Sequence, residues 1–130
     1  MTSLLRRAWS GDPAATALAQ GAFNVVGGLW PLVSVRSFEA VFGPKADRWL
    51  EYTVAGLLVA NGAGQIAAVR SGELAAARRT GCGTAAALLA IDVIFVAKGR
   101  IRWTYLIDAA LEATWLGLWA RTARSQGRSR

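Results

Sequence analysis

The sequence has no histidine and only one cysteine, Cys82, among its 130 residues. Without an imidazole there is no histidine-based catalytic triad, no histidine-ligated zinc and no haem held by histidine. One thiol forms neither an internal disulfide nor a CxxC pair, so we interpret Cys82, in a glycine-rich apolar stretch, as a packing residue. Walker loops, dinucleotide fingerprints and GxSxG motifs are also missing. We predict no catalytic residue, metal site or cofactor from motifs, and whether the chain is an enzyme stays open.

Charged residues are scarce as well, at 18% of the chain against 54% hydrophobic residues and a mean hydropathy of +0.33. This leaves too little polar surface to coat a soluble domain. The net charge of +7 would suggest nucleic acid in a soluble protein, but the basic residues lie between and beyond apolar runs. We interpret them as topology signals and headgroup anchors, and expect membrane lipids rather than nucleic acid as partners.

Four apolar runs are long enough to span a bilayer: residues 13–35, 49–69, 80–97 and 103–120, approximately. Asp12 is placed to cap the first run, with Pro13 at the first helical position. Arg6 and Arg7 precede this run as in a secretion signal, but the run is too long and lacks a clear cleavage site, so we expect it to be the first span. The sequence predicts an all-α, four-helix transmembrane bundle in one domain, residues 1–121, with a basic flexible tail over residues 122–130.

The segment between the first two runs is longer than a hairpin requires. Phe38, Val41 and Phe42 lie on one helical face, and Gly43-Pro44 is a helix stop. We predict a short amphipathic helix on the outer membrane interface, which is either a lid over the bundle or an interfacial anchor.

Nine of the 15 basic residues fall on the side that holds both termini, and six fall on the other side. The positive-inside rule then predicts a multi-pass protein of the inner membrane with both termini in the cytoplasm. Trp9, Trp115 and Trp119 are expected to form the inner aromatic belt.

Polar residues recur four positions apart inside the runs, which places each pair on one helix face. We expect all of them, together with Asp92, to point into the bundle. The pairs are Gln20 and Asn24, Asn61 and Gln65, and Asp108 and Glu112.

A carboxylate in a bilayer costs a few kcal/mol and is rarely left facing lipid. Asp92, Asp108 and Glu112 are therefore expected to be protonated, to line a wet cavity, or to pair with the basic loop of Lys98, Arg100 and Arg102. The alternatives are a ligand-binding cavity, in which the buried amides take part, and a purely structural set of interhelical hydrogen bonds.

The outer loops also hold a cluster of both signs of charge. Its members are Arg36, Glu39, Lys45 and Arg48 in the first loop, and Arg100 and Arg102 in the second. Pairs among them would contribute roughly 0 to 1 kcal/mol each at a surface.

The segments Gly28-Leu29-Trp30-Pro31-Leu32, Arg36-Ser37-Phe38-Glu39 and Gly43-Pro44-Lys45, with Ile91-Asp92-Val93 and Leu106-Ile107-Asp108 further on, resemble a family of small uncharacterised bacterial membrane proteins. The resemblance implies four spans in a bacterial membrane and carries no catalytic residue across.

Two functions fit this sequence. One is a non-enzymatic accessory subunit that packs against itself or a larger membrane complex through the small-residue stripes Gly56/Ala60/Gly64 and Ala109/Ala113/Gly117. The other is the binding or transport of a small cation or lipophilic ligand at the buried carboxyls.

Overall fold

Six α-helices make up most of residues 2–130, the part of the chain that this computed structural model describes. The prediction of an all-α fold is confirmed, since the described residues contain no strand. The helices are α1 (Thr2–Trp9), α2 (Pro13–Val33), α3 (Val35–Phe42), α4 (Arg48–Arg70), α5 (Leu74–Ala97) and α6 (Tyr105–Arg128).

The junction of α1 and α2 follows the predicted capping chemistry. The Asp12 carboxylate accepts hydrogen bonds from the backbone amides of Ala14 and Ala15, at 3.0 and 3.3 Å, and Pro13 opens the helix. Gly11 has a φ of 93°, a value that favours glycine, and a side chain there would collide with Ser125. The chain therefore reverses at Gly11 and starts α2 with its first amides satisfied.

The short helix predicted between the first two runs is present as α3, which turns away from α2 by 108° at Ser34. Gly43, with a φ of 93°, ends this helix, and its amide donates to the Glu39 carbonyl at 2.7 Å. Trp30 Nε1 donates to Ser37 Oγ at 2.9 Å across the bend. The bend is thus fixed by contacts on both of its sides.

Most of the segment that the sequence predicts as a basic flexible tail, residues 122–130, is helical in the structure, because α6 continues to Arg128. Contacts distant in sequence hold this extension. Arg121 Nη1 donates to the Trp9 carbonyl at 2.9 Å and Ser125 Oγ donates to the Gly11 carbonyl at 3.0 Å. The beginning and the end of the chain therefore lie together, at what we call the α1 end of the bundle; the opposite end is the α3 end.

Helix α2 contacts each of the other five helices, and its closest neighbour is α4. A Cβ atom added at Gly21 would lie 2.8 Å from the Gly62 carbonyl oxygen, and one added at Gly28 would lie 2.6 Å from the Ala55 carbonyl oxygen. Backbones this close leave no space for side chains. The predicted stripe Gly56/Ala60/Gly64 does not make this contact, since Gly56 and Gly64 face open space.

The interior is built mainly of small, polar and aromatic residues, while most large aliphatic side chains, Leu118 excepted, lie outside. Buried positions include eight alanines, Trp115 and Trp119, whereas Val33 is 82% exposed and Val26 is 68% exposed. The expected place of Trp115 and Trp119 in an interfacial belt is thus wrong. Small residues inside and aliphatic residues outside are what helix packing in lipid favours.

Helices α4 and α5 are each long and apolar enough to cross a membrane, and the bent pair α2–α3 is a third candidate. Helix α6 is as long as α5, at 24 residues, but it is not among the helices apolar enough to cross a membrane. The chain is therefore a helical protein with two to three candidate spans, which supports membrane association but does not reach the predicted four.

Candidate functional site

At the α1 end, buried amides from two helices form one hydrogen-bonded cluster. Gln20 Oε1 accepts from Gln65 Nε2 at 2.9 Å and from Trp119 Nε1 at 2.7 Å, while Gln20 Nε2 donates to the Gly81 carbonyl at 2.9 Å. We call Gln20, Gln65, Gly81 and Trp119 the amide cluster. It joins α2, α4, α5 and α6 at one point, and only Gln65 Oε1 lacks a partner within the described residues.

Sequence reasoning placed Gln20 and Gln65 correctly but missed Trp119 and Gly81. A side chain at Gly81 would overlap the Gln20 and Gln65 amides, so glycine is required there. A glycine or tryptophan in an apolar run gives no sign of such a role. The signal that pointed here was the spacing of the two glutamines, each four residues from an asparagine within an apolar run.

The two asparagines do not meet. Asn24 is buried, and neither its Oδ1 nor its Nδ2 atom has a hydrogen-bond partner in residues 2–130. Asn61 is exposed on the outside of α4, so the expectation that it points into the bundle is wrong. Gln65, four residues further on, occupies the interface with α2 instead.

A cavity of about 570 Å³ lies at the α3 end, between the α2–α4 pair and the α5–α6 pair. Most of its wall is apolar and aromatic. Its charged lining residues are five acids and one lysine: Asp47, Glu51, Asp92, Asp108, Glu112 and Lys45. Sequence reasoning had selected three of the acids and the lysine, and had missed the role of Glu51.

Asp92 from α5 and Asp108 and Glu112 from α6, the carboxyl cluster, line one side of this cavity. Glu112 follows Asp108 one turn along α6, so these two acids lie on the same face of the helix. Asp92 is 3% exposed and Glu112 is 1% exposed. The Asp92 Oδ2 atom and both Glu112 carboxyl oxygens have no hydrogen-bond partner among the described residues.

Of the three alternatives for these carboxyls, pairing with the basic loop is not seen in residues 2–130. Arg102 Nη1 donates to the Ala40 carbonyl at 3.0 Å, which ties the α5–α6 loop to α3. Lys98 lies over the Phe95 ring at 5.5 Å, and Arg100 is exposed. The ion pairs of residues 2–130 are Arg7 with Asp12 and Arg48 with Glu39, so none involves the carboxyl cluster.

Helix α3 covers the cavity. Phe38 and Phe42 lie on its wall, and Phe42 stacks against Tyr105 of α6 with ring centroids 4.8 Å apart. The Thr104 hydroxyl donates to the Val41 carbonyl at 2.8 Å. This arrangement favours the interpretation of α3 as a lid over the interpretation as an anchor alone.

Of the predicted outer-loop charges, Glu39 and Arg48 form the one ion pair. The two guanidinium hydrogen bonds measure 2.9 and 3.0 Å, and they hold the pKa of Glu39 below its usual range although burial opposes them. Arg36 is exposed and takes part in none of the ion pairs seen in residues 2–130. The cluster therefore serves mainly to fasten α3 to the start of α4.

Lys45 enters the cavity wall from the loop before α4. Its ammonium donates to the carbonyls of Phe42 and Gly43, at 3.1 and 3.0 Å, and lies 4.8 Å from the centre of the Tyr105 ring. Burial lowers the pKa of Lys45, while the Glu51 and Glu39 carboxyls act in the opposite direction. Its donors are directed mainly to backbone oxygens, so it does not neutralise the carboxyl cluster.

The carboxyls are not arranged as a metal centre: among residues 2–130 no three His, Cys, Asp or Glu side chains are grouped to hold a metal ion. Three acids on one side of the cavity and aromatic walls are suited to an organic cation instead. Such a ligand offers N–H donors to the unpartnered oxygens and an apolar body to the walls.

No known family model, curated protein or solved structure matches this chain.

Proposed function

We propose that the chain is a multi-pass protein of the bacterial inner membrane with four spans, α2, α4, α5 and α6, and with both termini in the cytoplasm. Support for α6 as a span comes from the direction of its side chains. Its acid Glu112 is buried, while Leu106, Ile107 and Leu111 lie exposed on the opposite face. The acids that reduce the mean hydropathy of α6 are thus turned away from the surface that lipid would cover. The resemblance to a family of bacterial four-span proteins agrees with this proposal.

The function that the geometry supports best is the binding of an amphipathic organic cation in the cavity at the α3 end. One observation carries this proposal: Glu51, Asp92 and Glu112 belong to the wall of a space of about 570 Å³, and buried carboxyl oxygens of all three have no partner in residues 2–130. A buried acceptor without a partner costs about 1–3 kcal/mol, so such groups are rare unless something else satisfies them. The volume lies in the usual range for small-molecule sites, about 300–1,000 Å³.

The charge of the lining selects the class of ligand. Five acids against one lysine disfavour an anion, and the aromatic wall of Trp30, Phe42 and Tyr105 favours an ammonium group over a hydrated metal ion. An ammonium with an apolar tail would place its charge at the carboxyl cluster and its tail against these rings.

The proposal is tested with phenylbutylamine, phenylbutanol and phenylbutanoate, which share one apolar body and differ in charge. Binding to the full chain in lipid nanodiscs is measured by equilibrium dialysis, with empty nanodiscs to subtract partition into lipid. We expect the amine to bind at least tenfold more tightly than the alcohol, since a hydrogen bond to a charged group contributes about 1.5–3 kcal/mol. The acid is expected to bind most weakly.

Glu112→Gln is the diagnostic variant. Its matched control is Glu73→Gln, which makes the same replacement of a carboxyl by an amide at an exposed residue at the α1 end of the bundle. We expect Glu112→Gln to lose the preference for the amine and Glu73→Gln to keep it. Equal binding of amine and alcohol to the unmodified protein would refute the proposed function.

A second candidate, the accessory subunit, is supported by a different observation. Side chains added at Gly56, Gly64 or Gly117 would meet nothing within 4 Å, so these small-residue faces are free for another helix. If the chain associates through them, Gly64→Leu should abolish a crosslinked dimer in membranes while Glu112→Gln leaves it intact. A chain that remains monomeric in the unmodified form and binds no partner at this face would end this candidate.

A further inference from the structure

A second cavity, of about 440 Å³, lies at the α1 end, between the start of α5 and the end of α6. Its charged side chains are Arg78 and Arg79, one turn into α5, and Gln126 faces it from α6. We call it the basic cavity. No acidic residue lines it, in contrast to the cavity at the α3 end.

The two arginines are not engaged elsewhere. Neither takes part in the ion pairs of residues 2–130, and neither donates a side-chain hydrogen bond there. The other polar groups of the wall are already used, since Trp119 Nε1 donates to Gln20 and the Thr122 hydroxyl donates to the Trp119 carbonyl. The free donors of the basic cavity are thus the two guanidinium groups and the Gln126 amide.

The helix at the rim adds to the positive potential. Leu74 and Ala75, the first residues of α5, line the cavity, and the side chain of Glu73 makes no capping hydrogen bond to α5. The first amides of a helix without a cap attract anions. Pro13, Leu74 and Ala75 supply apolar wall next to these donors.

We propose that the basic cavity binds the phosphate group of an anionic phospholipid, with Arg78 and Arg79 as its ligands. Guanidinium groups match phosphate oxygens in geometry and charge, and the apolar wall fits the glycerol and upper acyl region that follow a lipid phosphate. Basic pockets between spanning helices are suited to anionic headgroups. This site is separate from the carboxyl-lined cavity, and it does not depend on the function proposed there.

The test is native mass spectrometry of the full chain, transferred from nanodiscs that contain equal amounts of phosphatidylglycerol and phosphatidylcholine. The site variant is Arg78→Gln with Arg79→Gln. Its matched control is Arg124→Gln with Arg128→Gln, which removes the same charge from exposed positions of the same end, outside the cavity. Circular dichroism confirms that both variants remain helical.

We expect one phosphatidylglycerol to stay bound to the unmodified protein, a loss of roughly tenfold or more in the site variant, and a loss of less than about twofold in the control. Inorganic phosphate is then added to the detergent-solubilised protein. If it does not displace the lipid, the acyl region contributes and the lipid is the ligand; if it does, the phosphate group alone is recognised. The proposal fails if the unmodified protein retains both lipids equally, or if both variants lose phosphatidylglycerol to the same extent.

Discussion

The two ends of the helical bundle treat their buried polar groups in opposite ways. At the α1 end, Gln20 satisfies donors from Gln65 and Trp119 and itself donates to Gly81. At the α3 end, the oxygens of Glu51 and Glu112, two residues of the cavity wall, have no partner among the described residues. The hydrogen bonds of the amide cluster join four helices, whereas the carboxyl oxygens at the α3 end remain available to a ligand.

This difference distinguishes polar residues that hold helices together from polar residues that are available to a ligand. Both sets of residues lie in apolar runs and have similar spacing, so composition does not distinguish them. Their partners do. A buried group in a dry interior is costly unless it is paired, so a set of unpaired carboxyls around a cavity indicates a place for something that the chain does not supply.

The largest expected effect is at Gly81. Gly81→Leu would drive a side chain into the Gln20 and Gln65 amides and break all three hydrogen bonds of the amide cluster. We expect a loss of about 4 kcal/mol or more in the free energy of unfolding, or no stable fold. Thermal unfolding in detergent, followed by circular dichroism, measures it.

The matched control is Gly83→Leu, two residues along the same helix, where a side chain meets nothing within 4 Å. It should be neutral, or stabilise the helix by up to about 1 kcal/mol through better helix propensity. Comparable destabilisation by both variants would mean that the amide cluster does not hold the α1 end.

Gln20→Leu should have the next largest effect. It leaves the donors of Trp119 and Gln65 buried without an acceptor, which we expect to cost about 2–4 kcal/mol. Asn61→Leu, a similar change at the exposed asparagine of α4, should be close to neutral. The same unfolding measurement compares them, and an equal loss in both would contradict the assignment of Gln20 as the centre of the cluster.

At the α3 end the effects should be smaller and should act on the lid. Phe42→Ala removes the ring contacts to Phe38 and Tyr105, each with centroids 4.8 Å apart. Aromatic pairs contribute about 0.5–1.5 kcal/mol each, so we expect faster hydrogen exchange throughout α3 with little change in global stability. Val41→Ala is the control and should leave exchange in α3 nearly unchanged, because Val41, although predicted on the same face as Phe42, is exposed and does not line the cavity.

The smallest expected effect concerns pH. Because Arg48 lowers the pKa of Glu39 from its ordinary 4.5, the ion pair stabilises the α3–α4 junction above that pH, and this contribution is lost as the pH falls through the lowered value. Lys45 and Glu51 are the other charged groups near Glu39. Exchange in α3, corrected for intrinsic rates, should rise slightly below pH 4.5 in the unmodified protein, and Glu39→Gln should remove this pH dependence.

Sequence patterns predicted the helical class, the Asp12 cap, the helix α3 and the burial of Gln20, Gln65, Asp92 and Glu112. They failed where the outcome depends on which side of a helix has a neighbour. Residues four apart are rotated by about 40°, so a pair stays buried only where the interface is wide. The central helix α2 buries both Gln20 and Asn24, whereas α4 packs mainly on α2 and α5 and turns Asn61 outward.

The same reason explains the small-residue stripes and the end of α6. Glycine and alanine are so frequent in this chain that several faces of α4 look equally suited to close packing, and the face that contacts α2 carries Ala55 and Gly62. The helical extension to Arg128 depends on Trp9 and Gly11, more than a hundred positions away, and no local pattern reports such contacts.

The close contact between α2 and α4 restricts how a ligand can enter the carboxyl-lined cavity. The Gly62 and Ala55 carbonyl oxygens lie where Cβ atoms at Gly21 and Gly28 would be, so α2 and α4 leave no gap at these two positions. Helix α3 is fastened over the cavity by one ion pair, aromatic contacts and two hydrogen bonds from the α5–α6 loop, so we expect it to be a boundary that opens readily. The rate at which a ligand enters and leaves the cavity should then be set by how fast α3 moves about Ser34.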